Sequence, residues 1–168
     1  PPYTVLKSSG VSRMYHSSGI LMSDGRVLVV GGNQYERYTY HNVRYPTELR
    51  LQAFAPQYTD HRLHNVRPSN ISVEIKTMYS SMKKVDVDET ISVMYGKEFQ
   101  VRFWLGKRTK LKDVEFNVYK PPFTTHSNSM NQRMLKLRSR NVEGDDMWVR
   151  AVVEAPPNGN VAPPGYYM

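Results

Sequence analysis

Cysteine is absent from the 168-residue chain, which excludes within these residues a disulfide framework, a thiolate zinc site and a cysteine nucleophile. Long apolar runs are missing as well. The longest are short stretches such as Val27-Leu28-Val29-Val30, far below the ~20 residues a membrane-spanning helix needs. There is no glycine-rich phosphate loop, no Gly-x-Ser-x-Gly elbow and no carboxylate pair with a glycosidase signature. Segments of helical period are scarce. The chain opens on Pro1-Pro2 without a signal-peptide pattern and stops at Gly165-Tyr166-Tyr167-Met168, which reads as a strand beginning. A fragment, incomplete at both ends, is therefore expected.

What is present argues for a folded β protein. Hydrophobic residues make up 39% and charged residues 23%, near the globular average. Lys and Arg number 23 against 15 Asp and Glu, a net charge of +8, which favours polyanionic partners. A nucleic acid is not expected among them, because no recognition helix or base-stacking motif accompanies the charge. The densest positive patch, Lys107-Arg108 with Lys110 and Lys112, reads as a solvated hairpin loop. Asp86, Asp88 and Glu89 read as a turn, since the Gly and terminal Glu of a calcium-binding EF-hand are absent.

Short β-branched and aromatic runs separated by turn residues recur along the chain. Residues 18–22 and 26–30 flank Ser23-Asp24-Gly25 as a hairpin that closes on Gly31-Gly32. A strand pair ending in Val-Val-Gly-Gly resembles the inner strands of a kelch-type propeller blade. One blade cannot bury both its faces, so neighbouring blades are expected upstream. Residues 33–48 are polar and tyrosine-rich and read as a long surface loop, and residues 49–54 alternate as a strand ended by Pro56. From Arg67-Pro68 onward, strand candidates at 71–75, 90–94, 99–105, 114–119, 134–137 and 148–153 have the spacing of an immunoglobulin-like sandwich lacking its last strand. Gly144-Asp145-Asp146 and residues 155–159 supply turn chemistry. The expected fold class is all-β, with the end of a propeller at residues 1–58 and a sandwich at 59–168.

Few residues suggest chemistry by themselves. Tyr15-His16 precedes the first hairpin, and His126 lies far downstream in a Pro-Pro-Phe-Thr-Thr-His loop. Adjacent residues on a regular strand point to opposite faces, so Tyr15 and His16 can share one metal only at a bend or strand end. Imidazole nitrogens with a phenolate oxygen suit tetragonal Cu(II). An edge-packed tyrosine and two polar loop histidines are the plain alternative. His61 and His64 in Asp-His-Arg-Leu-His mimic a metal pair without a third ligand, and His41 sits in a polar loop. Asn70-Ile71-Ser72 fits the N-glycosylation pattern.

Five segments carry a resemblance: Arg13 to Ser18, Leu21 to Asn33, Tyr45 to Leu49, Thr124 to Met134, and Val161 to Met168. In order and over the whole chain, they resemble the plant glyoxal oxidase branch of the galactose oxidase family. That family joins a seven-bladed propeller to an early-set sandwich whose long loop reaches toward the propeller axis. The resemblance implies that Tyr15 is the axial tyrosine of a mononuclear copper site and that His16 and His126 are its two equatorial histidines. It also implies a radical tyrosine cross-linked to cysteine, which these cysteine-free residues cannot supply and which is expected in an earlier part of the protein.

The implied activity is oxidation of an aldehyde, through its hydrate, to a carboxylic acid, with O2 reduced to hydrogen peroxide and Tyr15 accepting a substrate proton. Primary alcohols are the alternative substrates. Ser127 and Asn128 are candidate partners of the metal ligands. The protein is expected to be secreted to the cell wall or apoplast. A contrasting expectation, drawn from the +8 charge, is a non-catalytic wall protein that binds acidic polysaccharide. The isolated chain, with a lone blade and exposed strand edges, is expected to be inactive and prone to aggregation.

Overall fold

The computed structural model describes residues 3–77, 80–86, 90–106, 110–145 and 147–168. These residues form twelve strands: β1 (Ser18–Leu21), β2 (Val27–Val30), β3 (Leu51–Phe54), β4 (Ser69–Thr77), β5 (Ser80–Asp86), β6 (Glu98–Trp104), β7 (Phe116–Lys120), β8 (Phe123–Thr125), β9 (Asn128–Met130), β10 (Arg133–Leu137), β11 (Ser139–Asp145) and β12 (Trp148–Glu154). The only helical pieces among the described residues are three 3-10 turns at Gln57–Thr59, His61–Val66 and Leu111–Asp113. The chain divides into two compact units.

The first unit comprises Pro1–Pro56 and Pro122–Asn131. Its main sheet is antiparallel in the order β1-β2-β3, with Ser18 opposite Val30 and Val27 opposite Phe54. The β1–β2 reversal is set by local chemistry. Gly25 adopts φ +84°, which an L side chain resists, and the Asp24 carboxylate accepts from the Arg26 backbone N–H (2.9 Å) and Nε (2.7 Å). Leu49 and Leu51 are 60% and 70% exposed, in keeping with a sheet that cannot bury both faces alone. The described residues contain this one three-stranded sheet and no closed propeller. A second piece of the unit, the β8–β9 hairpin, comes from far downstream in the chain.

The second unit comprises Gln57–Pro121 and Gln132–Met168. A five-stranded antiparallel sheet runs β11-β12-β6-β4-β5, and β7 pairs with β10 in a second, two-stranded sheet. Alternation on the two central strands builds the core: Val101 and Phe103 of β6, with Leu105 just beyond it, and Val149, Ala151 and Val153 of β12 are buried with Leu137 of β10. Phe103 meets Phe116 edge-to-face at 6.2 Å between ring centroids. The opposite face is polar: Arg102 lies 4.3 Å over the Trp148 ring, and Arg150 pairs with Glu143. Met168 exchanges both backbone hydrogen bonds with Tyr119 of β7 at 2.8 Å.

Two sequence expectations fail here. Residues 90–94 form no strand. Val93 and Met94 are 37% and 61% exposed and lead into a turn in which Gly96 takes φ +63° and the Lys97 N–H reaches the Met94 carbonyl. The strand beside β4 is instead β5, whose sequence Ser-Ser-Met-Lys-Lys-Val-Asp has little apolar alternation. As a sheet edge it tolerates lysine. Gly144 and Asp145, read as a turn, end strand β11, with Asp145 opposite Trp148. The turn expected at residues 155–159 is present, with the Asn158 side chain accepting from the N–H groups of Asn160 and Val161. Asp88, Glu89, Lys107, Arg108 and Asp146, and the side chain of Asp86, lie outside the described residues.

Candidate metal centre

The site grows from the segment before β1. Tyr15 and His16 are the central residues of a β-turn closed by the Ser17 N–H on the Met14 carbonyl at 3.1 Å. His16 has φ +64°, the left-handed value of the third position of a type II turn, which usually takes Gly or Asn. This is the bend that two adjacent residues need in order to face one point. Their rings stack with centroids 4.0 Å apart.

Gly31 and Gly32, which follow β2, let this segment lie close. A Cβ on Gly32 would stand 3.0 Å from the Met14 nitrogen, and one on Gly31 3.5 Å from the His16 carbonyl oxygen. The Asn33 N–H donates to the Tyr15 carbonyl at 2.6 Å. Arg13 extends one guanidinium over three acceptors: Nη1 to the carbonyls of Gly31 (3.0 Å) and Arg50 (2.8 Å), and Nη2 to the Gln52 side chain (2.8 Å).

The Tyr-Pro-Thr-Glu-Leu segment is tied to Gly32 and Asn33. The buried Thr47 hydroxyl donates to Asn33 Oδ1 at 2.9 Å and accepts from the Thr39 N–H at 2.8 Å. The Glu48 N–H donates to the Gly32 carbonyl at 2.8 Å. The Arg50 side chain and backbone N–H hold the Glu48 carboxyl down to about 2, against an ordinary 4.5. The tyrosine-rich loop between Asn33 and Thr47 thereby closes upon itself.

His126 arrives on the β8–β9 hairpin. Thr125 is paired with Asn128, so His126 and Ser127 form a two-residue loop, and their φ values of +52° and +60° are those of a type I′ turn. Such turns ordinarily take Asn-Gly; a histidine and a serine there each cost on the order of 1–3 kcal/mol of backbone strain. The His126 ring centroid lies 5.5 Å from that of His16 and 6.2 Å from that of Tyr15. Thr125 Oγ1 is 2.7 Å from His126 Nδ1, and the His16 backbone N–H donates to Ser127 Oγ at 3.1 Å across 111 residues of chain. Tyr15 is 45% exposed and both histidines are exposed. Two imidazoles and one phenol, close together, form a donor set that fits a copper ion.

The other candidates do not assemble. His61 is splayed into solvent beside Asp60, and His64 lies on the same exposed 3-10 turn. No group of three or more His, Cys, Asp or Glu forms among the described residues. Sequence reasoning passed over Arg13, Asn33 and Thr47 as single residues. Their role is to hold backbone, and only the contacts disclose it.

Two family models cover most of the chain: "Glyoxal oxidase N-terminus" matches residues 2–58 and "Galactose oxidase-like, Early set domain" matches residues 67–168. The chain belongs to the galactose oxidase-like, glyoxal oxidase family. Over 97% of its length it is 40% identical to "Aldehyde oxidase GLOX1" of Arabidopsis thaliana, and over 99% it is 38% identical to "Aldehyde oxidase GLOX" of Vitis pseudoreticulata. It spans 24% and 28% of the length of those two relatives. No solved structure matches it. Of the five segments that carry the family resemblance, four, Arg13 to Ser18, Leu21 to Asn33, Tyr45 to Leu49 and Thr124 to Met134, contribute residues to the contacts around Tyr15, His16 and His126, and Val161 to Met168 does not.

Proposed function

We propose that the whole protein containing this chain is a copper-dependent oxidase that converts aldehydes to carboxylic acids and reduces O2 to hydrogen peroxide. The observation that carries the reading is the cluster of Tyr15, His16 and His126, with ring centroids 4.0–6.2 Å apart, in a family whose curated relatives are named aldehyde oxidases. Tyr15 would hold copper through its phenolic oxygen, and His16 and His126 through ring nitrogens. Bound copper, together with a Tyr-Cys radical group from outside these residues, would supply the redox capacity for a two-electron oxidation.

The balance is simple: an aldehyde hydrate, RCH(OH)2, and O2 give RCOOH and H2O2. Tyr15 Oη accepts the proton of the substrate hydroxyl. The left-handed turns hold His16 and His126 in place before substrate arrives, which limits reorganisation during the reaction. Primary alcohols are the alternative substrates. In this reading residues 1–58 finish a kelch-like propeller, residues 59–168 are the early-set sandwich, and the protein acts outside the cell, in the wall or apoplast.

The test is peroxide release by the copper-loaded whole protein on small aldehydes, compared with His126→Ala. Loss of peroxide in the variant is expected, and unchanged turnover would overturn the ligand assignment. A second reading, a wall protein binding acidic polysaccharide, is favoured by the net charge of +8. Salt-sensitive pectin binding by the copper-loaded protein, with no peroxide formed, would establish it instead.

A further inference from the structure

We infer that Ser127 is a positioning residue that fixes the distance between the two histidines by clamping the backbone of one to the turn that carries the other. The inference rests on the copper reading above but concerns a residue that donates nothing to a metal. Ser127 follows His126 directly, and the two are the central residues of the β8–β9 turn. Its hydroxyl accepts the His16 N–H at 3.1 Å. One side chain therefore links the type I′ turn of His126 to the β-turn of Tyr15 and His16.

The backbone explains why a link is needed. His16, His126 and Ser127 have φ values of +64°, +52° and +60°, a conformation that side-chain-bearing residues leave readily unless the surroundings hold it. Two such residues, His16 and Ser127, meet at this contact, and His126 directly precedes Ser127. Without the Ser127 hydroxyl the His16 N–H loses this partner, and the two turns are free to relax separately. The imidazoles, 5.5 Å apart between centroids, would then sample a range of separations. A metal site feels such loosening as lost affinity, typically ~10–100-fold when a supporting hydrogen bond around a ligand is removed.

Substitutions at Ser127 separate the hydrogen bond from the strain. Ser127→Ala removes the hydroxyl and keeps the left-handed cost. Ser127→Gly removes both. Ser127→Asn keeps a side-chain oxygen in a residue that tolerates φ > 0. The experiment uses the whole protein and Cu(II) as the probe, with affinity from titration calorimetry, the copper EPR spectrum, and hydrogen–deuterium exchange of the peptide containing His16 in the copper-free protein.

Expected are ~10-fold or greater weakening of Cu(II) binding, a broadened or shifted EPR spectrum and faster exchange at His16 in both Ala and Gly variants, with recovery in the Asn variant. If the wild type binds Cu(II) and both hydroxyl-less variants match it in affinity, spectrum and exchange, the clamp is overturned and the copper reading stands. A wild type that binds no Cu(II) overturns both the copper reading and the role given to Ser127. Weakening in Ala alone, with Gly unaffected, would mean that the hydroxyl serves only to hold the strained backbone of its own turn, and overturns the clamp between the two turns.

Discussion

A methyl group on Gly32 would sit 3.0 Å from the backbone nitrogen of Met14. This near-contact lets the chain leaving β2 pass directly beneath the turn that presents Tyr15 and His16. Gly32 also takes φ +141°, a value L residues avoid.

Gly32→Ala is therefore expected to push the segment of residues 13–16 off the sheet. A destabilisation of about 1–3 kcal/mol is expected from strain and displacement together. Copper stoichiometry should fall with it. Thermal denaturation and metal analysis of the whole protein check this, and a variant that keeps full copper content would show that the backbone gives way harmlessly.

Arg13 is held through the planar fork of its guanidinium, which reaches two carbonyls and one amide oxygen. Arg13→Lys retains the cation and loses the planar fork. Each charge-assisted hydrogen bond lost is worth ~1.5–3 kcal/mol, so the lysine variant is expected to unfold at lower urea. A midpoint equal to that of the wild type would mean that a single ammonium satisfies the same carbonyls.

Glu48 links this unit to pH. Its carboxyl is lowered to about 2 from 4.5 by the Arg50 side-chain and backbone hydrogen bonds, so folding favours the ionised form. The stability this adds is fully present above pH 4.5 and is lost as pH falls toward 2. Glu48→Gln is expected to flatten the fall in melting temperature between those values and to lower stability near neutrality. Parallel melting profiles of variant and wild type across pH 2–6 would contradict the assignment.

Asn70 heads the one Asn-x-Ser/Thr pattern of the chain. It is exposed, with φ +50°, at a register shift of β4 between Ser69 and Ser72, whereas Ser72 is 4% exposed. A glycan added before folding is therefore accommodated outside the sheet at Asn70. In a eukaryotic secretory host, glycosidase treatment is expected to shift the mass of the whole protein and to leave Asn70→Gln with one glycan fewer. Peptide mapping that finds bare Asn70 in secreted protein would refute this.

Local pattern made much of the fold legible. The β1–β2 hairpin was readable because Ser-Asp-Gly separates two apolar runs, and β6 and β12 because their alternating Val, Phe and Ala describe one buried face. Strand β5 was not, because a lysine-bearing edge strand needs no apolar alternation, and the run at 90–94 misled because its apolar side chains end in an exposed turn. The β8–β9 hairpin was invisible for a similar reason: Phe-Thr-Thr and Asn-Ser-Met bury little, and His-Ser is not a usual turn pair.

The amino-acid sequence by itself determined the all-β character, the absence of any thiol chemistry in these residues and, through its motifs, the family. It also determined that Tyr15 and His16 must stand at a bend if they are to act together. The family resemblance also named His126 beside them; only the tertiary structure shows how near its ring lies, 5.5 Å from that of His16, and that Gly31, Gly32, Asn33, Thr47 and Ser127 pack and hydrogen-bond around the arrangement. The reason is physical: hydrophobic period and turn composition act over a few residues. The hydrogen bond from His16 to Ser127 spans 111 residues, a separation at which local pattern carries no signal and only the folded packing brings the partners within reach.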